Sequence, residues 1–481
     1  MPIQHESSYT RAITDLIALV ESPTENADSL VQDAAVYFKA AANLKETITT
    51  LNNAVSEKRD SLQIASKKDQ EALKNELDKA EAALKEELTS QQEDRLARLE
   101  RATVVCEKIL ALSEGKDLTE TLEKSAKFLG TILLLSPGEG RRLQKLHQRM
   151  KPCYKAVLSI RLLDALMQQK QVKNKYLNTH YEIDTRFQNE DRQGQLATVI
   201  FPIMLVALFQ DIGMQHPDVQ KILKGPDNQL DPYRVLPVEE RKELLKLNFQ
   251  HTLDYLEYGL GMHKYVGNSR EERDAFNQTQ TQAVAFSKLV MKDILKPRHG
   301  LGEIIKIPQI YSSVVLSTKR EYKAIELPKA CLLIEQLAEK GSLNKIIAEL
   351  FTKMVGHFPQ GYGVTYIPTT DQGEELDRYE YAIVIGLYPD NLYEPECRIV
   401  TRNLTFISSG PSLTVKRGLN LYFPKTRQKL AKIDKEKLKE ILQQLKQEVT
   451  DEHIENLIPP CWLPHEYFSQ KQHQNLWIKA Y

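Results

Sequence analysis

The sequence lacks most of the features that would commit it to a common function class. It has five cysteines, Cys106, Cys153, Cys331, Cys397 and Cys461, scattered and never in a Cys-x-x-Cys pair. An odd, dispersed set argues against a disulfide framework and against a cysteine zinc site, so reduced thiols and a cytoplasmic location are expected. Neither sign of charge is in excess, since Lys+Arg and Asp+Glu are both 65. Bulk nucleic-acid binding draws on a basic surplus, so no nucleic acid is expected as a partner. Long hydrophobic runs are missing too. The most apolar stretch, Val199–Phe209, contains Pro202 and falls well short of the roughly 20 residues a membrane span needs. It reads as a buried core helix, and no membrane span is expected. The start of the chain, MPIQHESSYTRAITDLIALV, has no basic segment leading into an apolar one and does not read as a secretory signal. Glycine pairs at Gly259 and Gly261 and at Gly361 and Gly363 lack a P-loop lysine or a Rossmann context, so they read as turns.

What is present is helical pattern. A chain of 481 residues is too long for one ordinary core and implies two or three domains. Between Pro23 and Pro137 there is no proline. There Leu44, Ile48, Leu51, Val55, Leu62 and Ala65 follow heptad spacing, which slips near Asp69 and resumes at Leu73, Leu77, Ala80, Leu84 and Leu88. A narrow apolar stripe flanked by Lys and Glu needs a partner helix. The partner is either a second copy of the chain in a dimeric coiled coil or a later segment such as Arg95–Leu112 in a hairpin. Helical spacing continues through Leu143–Leu177, Val238–Leu260, Ala283–Leu295, Ile304–Ser317 and Pro328–Ala338, and a charged helix is expected at Lys435–Thr450. After Gly361 the composition turns β-branched and aromatic. Tyr379–Tyr388, Cys397–Thr401 and Leu413–Leu421 read as three short antiparallel strands. The predicted fold is therefore mainly α with a small C-terminal antiparallel sheet. Three consecutive regions are expected: 1–175, all helical with a coiled-coil segment at about 44–112; 176–360, helical; and 361–481, sheet plus C-terminal helix and tail.

One segment carries chemical interest. Gln210-Asp211-Ile212-Gly213-Met214 closes the apolar helix, and Leu236, Glu239 and Glu240 then lead to His251. Further on come IIKIPQIYSSVVLSTKREY, with Gln309, Ser317, Arg320 and Tyr322, and then Phe358, Pro359 and Gly361. In this order, over about 175–430, the chain resembles the HD-GYP family of bacterial cyclic di-GMP phosphodiesterases. The resemblance places remnant metal-site positions at His180, Asp211 and His251. It also implies that the other ligand positions have changed: Gln210 stands for the histidine of the His-Asp pair, Gln278 and Gln280 for a His-His pair, Gln309 for an aspartate, and Met214 for a lysine. A glutamine amide brings one weakly basic oxygen and no charge, so it replaces an imidazole or a carboxylate poorly. A phosphohydrolase of this kind needs two metals held closely enough to activate a hydroxide.

The resemblance thus implies a degenerate, non-catalytic signalling or scaffold protein in a bacterial cyclic di-GMP-linked pathway. It would hold no cofactor and act through an unidentified protein partner, as a homodimer through the coiled coil. Two alternatives stay open. One is a phosphohydrolase with a reduced site, one Fe, Mn or Zn ion on His180, Asp211 and His251. The other is a cyclic di-GMP receptor that binds without hydrolysis through Arg320, Tyr322 and Lys319, Arg320 being the best placed for a phosphate. Each named residue also has a plain structural reading: Asp211 as the end of a helix, His180 and His251 as packed histidines.

Overall fold

The computed structural model describes residues 6–24, 28–136, 141–298, 300–430 and 458–478. The expected helix at Lys435–Thr450 and the Pro137-Gly138 turn lie outside them. The chain is mainly helical, with a small antiparallel sheet of four strands near its C-terminus. It divides into two compact units. The first gathers Met1–Ile17, Glu107–Ala207 and Lys292–Tyr481, and the second gathers Ala18–Cys106 and Leu208–Met291. These units are discontinuous, and the consecutive regions 1–175 and 176–360 each contribute to both. The reason is local. Helices Gln70–Ser113, Phe201–Phe209 and Arg270–Leu295 run unbroken through the boundaries, so no glycine- or proline-rich linker marks them.

In the second unit the heptad stripe is divided between two helices, Leu30–Ile64 and Gln70–Ser113. Ser29 caps the first, accepting the Gln32 N–H. The slip near Asp69 is the reversal between them. The Asp69 N–H donates to the Ser66 carbonyl at 3.0 Å, and Ser66 Oγ donates to Asp69 Oδ2 at 2.7 Å. The helices return antiparallel, with ion pairs Lys58–Glu76 at 2.5 Å, Arg59–Glu81 at 2.7 Å and Arg101–Asp33 at 2.5 Å spanning them. The pairing formed within the chain is between the two halves of the stripe. Coverage is partial: Val55 and Leu77 are buried, while Leu88 remains 47% exposed.

In the first unit the apolar stretch is a core helix. Val199, Ile200, Ile203, Met204, Val206 and Ala207 are fully buried. The window Arg192–Phe209 has the length and apolarity to cross a bilayer, and 67% of it is buried inside the protein. It opens on a π-helical turn, Leu196–Ile200, just ahead of Pro202. Proline has no N–H to give the carbonyl four residues back, that of Thr198, and Tyr176 Oη donates to that carbonyl at 2.9 Å instead.

The sheet contains β1 (Gly363–Tyr366), β2 (Glu380–Val384), β3 (Glu396–Ile399) and β6 (Ser412–Thr414) in the order β1-β2-β3-β6, every pair antiparallel. A separate two-stranded ribbon joins β4 (Thr401–Arg402) to β5 (Thr405–Phe406). The sequence reading missed β1, a four-residue strand, and the β4–β5 ribbon, and overextended both the strand at Tyr379–Tyr388 and the last strand. After Thr414 the Lys416-Arg417-Gly418 segment turns, and Asn420 keeps a single bridge to Tyr366. The tail packs onto this sheet. Arg398 of β3 donates to the carbonyls of Leu476, Gly410 and Ile478, and the Trp462 indole N–H donates to the Ala382 carbonyl at 3.0 Å.

Candidate functional site

The Asp-Ile-Gly segment forms a tight corner in the second unit. The apolar helix ends at Phe209, and Ile212–Gln215 makes one 3-10 turn, with the Asp211 carbonyl accepting the Met214 N–H at 3.1 Å. The corner lies directly on the helix Val238–Asp254. The Gly213 N–H donates to Thr252 Oγ1 at 3.1 Å, while Thr252 Oγ1 and Asn248 Nδ2 donate to the Gln210 carbonyl. A β-carbon on Gly213 would stand 2.2 Å from the Asn248 carbonyl oxygen, so only glycine allows this approach.

The corner delivers His216 to His251. His216 is the N-cap of the helix Pro217–Lys224; its Nδ1 accepts the Asp218 N–H, and Pro217 takes the first helical position. Its ring lies flat on that of His251, with centroids 3.4 Å apart and planes 4° from parallel. Phe38 presents an edge-on contact to both rings, at 5.4 Å and 6.0 Å. Asp218 Oδ2 stands 3.7 Å from His216 Nδ1, and Asp254 Oδ2 stands 4.0 Å from His251 Nδ1. The His251 Nε2 atom is buried and has no hydrogen-bond partner. Burial holds both imidazoles below the ordinary histidine value. His216 is pushed further down by His251, while Asp218 and Asp254 pull the other way. Burial thus favours the neutral form of both rings, and in His216 the single lone pair of that form is already taken up by the Asp218 N–H.

His216, Asp218 and His251 each offer one ligand atom, and these atoms all lie within 4.8 Å of one another. Two imidazoles and a carboxylate are a donor set that first-row divalent ions take. The two ring planes are parallel and 3.4 Å apart, so their in-plane lone pairs do not meet at a single ion unless one ring turns.

The residues singled out by sequence are dispersed. Asp211 and His251 belong to the second unit, as do Gln210, Gln278 and Gln280. Gln210 is buried, Gln278 is exposed and Gln280 is half-buried. His180, Gln309, Lys319, Arg320 and Tyr322 belong to the first unit. His180 ends the short helix Lys175–His180, its ring tilted against Tyr176 at 4.5 Å. Gln309 Oε1 accepts from Lys155 Nζ at 2.7 Å, and Lys155 is buried. Lys319 and Arg320 are exposed, whereas Tyr322 packs edge-on to His147 at 5.2 Å. The sequence reading missed His216 and Asp218. Their one local signal is His-Pro-Asp opening a helix, the pattern of an ordinary helix start.

Compared with protein-family models, with curated proteins and with solved structures, the chain matches none.

Proposed function

We propose that this chain is a non-catalytic signalling or scaffold protein on a degenerate HD-GYP-like frame, acting through protein contacts. One observation supports this above the others: the lysine at Gln309. Where the resemblance puts a ligand aspartate, a neutral amide accepts from a buried lysine nitrogen at 2.7 Å. A metal requires negative charge at that position, and here it would meet a cation instead. The hairpin supports the contact role, because its pairing leaves Leu88 and the neighbouring stripe half-covered and open to a second copy of the chain. The link to cyclic di-GMP comes from the resemblance alone.

The group of His216, Asp218 and His251 favours a second reading, a phosphohydrolase that works with one ion. One experiment separates the two. Full-length protein, purified without chelator or affinity metal, is analysed for metal and incubated with cyclic di-GMP and Mn, Fe(II) or Zn; products are resolved by chromatography. The expected result is no hydrolysis and at most one ion per chain. Linear product formed in proportion to protein, and lost in His251→Ala, would overturn the non-catalytic reading.

A further inference from the structure

The first unit carries a basic surface with no acidic counterpart. Arg141, Arg142 and Lys145 stand exposed on the first turns of the helix Arg141–Gln168. Lys319, Arg320 and Lys323 stand exposed on the loop after the helix Glu303–Val315. The loop is tied to the first of these helices. Gln144 Nε2 donates to the Thr318 carbonyl at 2.9 Å, His147 Nδ1 donates to the Ser317 carbonyl at 2.8 Å, and Tyr322 packs edge-on to the His147 ring. Lys145 and Lys319 directly follow the two residues of the Gln144–Thr318 contact, so both sets of cations share one surface. No acid occurs from Arg141 to Lys151, and Glu321 is the one acid from Ser317 to Lys323. Among the described residues no carboxylate pairs with any of the six cations. The whole chain has a formal net charge of zero, so this concentration is local and its field is positive.

An apolar cavity adjoins this surface through Tyr322. It measures about 40 Å³, and its wall includes Leu133, Leu134, Tyr322, Leu327, Trp462 and Leu463. One water takes about 10–15 Å³ by this measure, so the space suits a short aliphatic side chain. Leu463 is 58% exposed, so the cavity opens to solvent on that side. Three kinds of polyanion could answer the charge, and the cavity chooses among them. A nucleic-acid strand stacks its bases on bare rings. Here Tyr322 is engaged by His147, and Trp462 lies flat on Tyr381 at 4.7 Å with its N–H on the Ala382 carbonyl. An anionic bilayer takes apolar side chains that protrude, whereas this apolar surface is mostly recessed. An acidic protein segment meets both features, with carboxylates for the cations and one aliphatic side chain for the cavity.

We infer that this surface docks an acidic segment of a partner protein, whose carboxylates meet Arg141, Arg142, Lys145, Lys319, Arg320 and Lys323 and whose single aliphatic anchor enters the cavity beside Tyr322. The inference rests on the contact role proposed above and names the chemistry of the partner. It does not rest on the absence of catalysis. Peptide binding can fail while the chain still leaves cyclic di-GMP intact, and hydrolysis can be found with peptide binding unaltered, so the two readings fail separately.

The test is fluorescence anisotropy of the full chain with a labelled peptide, Glu-Asp-Glu-Leu-Glu-Asp-Glu. The comparison probes are the same peptide with Ser for Leu, an oligouridylate, and phosphatidylserine vesicles scored by co-sedimentation. The leucine peptide is expected to bind saturably in the micromolar range at low salt and more weakly at physiological salt, because the contacts are exposed. The serine peptide should bind at least fivefold more weakly. The double variant Lys145→Glu with Arg320→Glu should lose at least tenfold, while Lys74→Glu with Lys340→Glu, the same charge change at other exposed sites, should lose less than twofold. If the first double variant does not fold, Lys145→Gln with Arg320→Gln takes its place and should lose at least fivefold. No binding of the leucine peptide would overturn the inference, as would equal binding of the serine peptide or equal losses in the two double variants. Tighter binding of the oligouridylate or the vesicles than of the leucine peptide would overturn it in favour of nucleic acid or a membrane surface.

Discussion

Two regions of this protein treat the same pairs of side chains in opposite ways. Around Glu114 in the first unit, Arg161 and Arg186 are withdrawn from water completely. On the hairpin of the second unit, Arg59 and Glu81 meet at 2.7 Å with 60% and 46% of their side chains exposed. The contact distances are alike, so distance alone says little about what each pair does for stability. What differs is desolvation. A buried charge that loses its partner cannot return to water, whereas an exposed one already shares its partner with solvent. The first region can therefore fix which packing the unit adopts, and the second can only adjust a hairpin that apolar residues already specify.

The comparison breaks most visibly at Glu114. Glu114→Gln keeps the shape and removes the charge that two buried arginines share. The expected loss is about 3–5 kcal/mol in stability, read from the denaturant midpoint of the full chain. A loss near that of a surface pair would show that the buried cluster is no more than a set of ordinary contacts.

A second probe asks what burial does to a single titrating group. His147 is fully buried; its Nδ1–H donates to the Ser317 carbonyl at 2.8 Å, and its Nε2 has no partner. Burial brings its pKa down to about 4, with Lys151 assisting and the Ser317 bond opposing. The folded value lies below the unfolded value near 6.5, so the unfolded chain binds the extra proton first. Stability contributed by the neutral ring is full above about pH 6.5 and drains away as pH falls towards about 4, on the order of 3 kcal/mol in total. Chemical denaturation at pH 7 and pH 4.5 measures it, and His147→Gln should flatten that difference. His216 and His251 shift the same way, but their side chains are 22% and 18% exposed and their share is smaller. A pH dependence unchanged in His147→Gln would place the titrating group elsewhere.

These contrasts also show what a sequence can carry. Period and composition identified the buried helix at Val199–Phe209, the helical character of the N-terminal part and the presence of a small late sheet, because each depends on neighbours within one or two turns or along one strand. The reversal between the hairpin helices showed only as a slip in the heptads at Asp69, which spacing alone did not mark as a turn. Long-range partnership was not. Glu114 meets Arg186 across 72 residues, and His216 meets His251 across a separate helix, with no local pattern to announce either. The candidate donors shifted for the same reason. The resemblance named His180 and Asp211 beside His251, while packing brought His216 and Asp218 to it through the corner that Gly213 permits. Strand β1 escaped notice because Gly363–Tyr366 is too short to show alternation.

The smallest effect is expected at the hairpin, and it sharpens the comparison because it should be nearly nothing. Arg59 and Glu81 gain little from their contact in water, and ordering two long side chains offsets part of that gain. A double-mutant cycle with Arg59→Ala and Glu81→Ala should give a coupling of about 0.2–1 kcal/mol at low salt, vanishing at high salt. Removing apolar Val55, by contrast, should lower the melting temperature at any salt concentration, because its burial does not depend on charge. If the Arg59–Glu81 coupling instead survived high salt, the exposed pair would be behaving like the buried one. The hairpin would then be held by its charges as well as by its stripe.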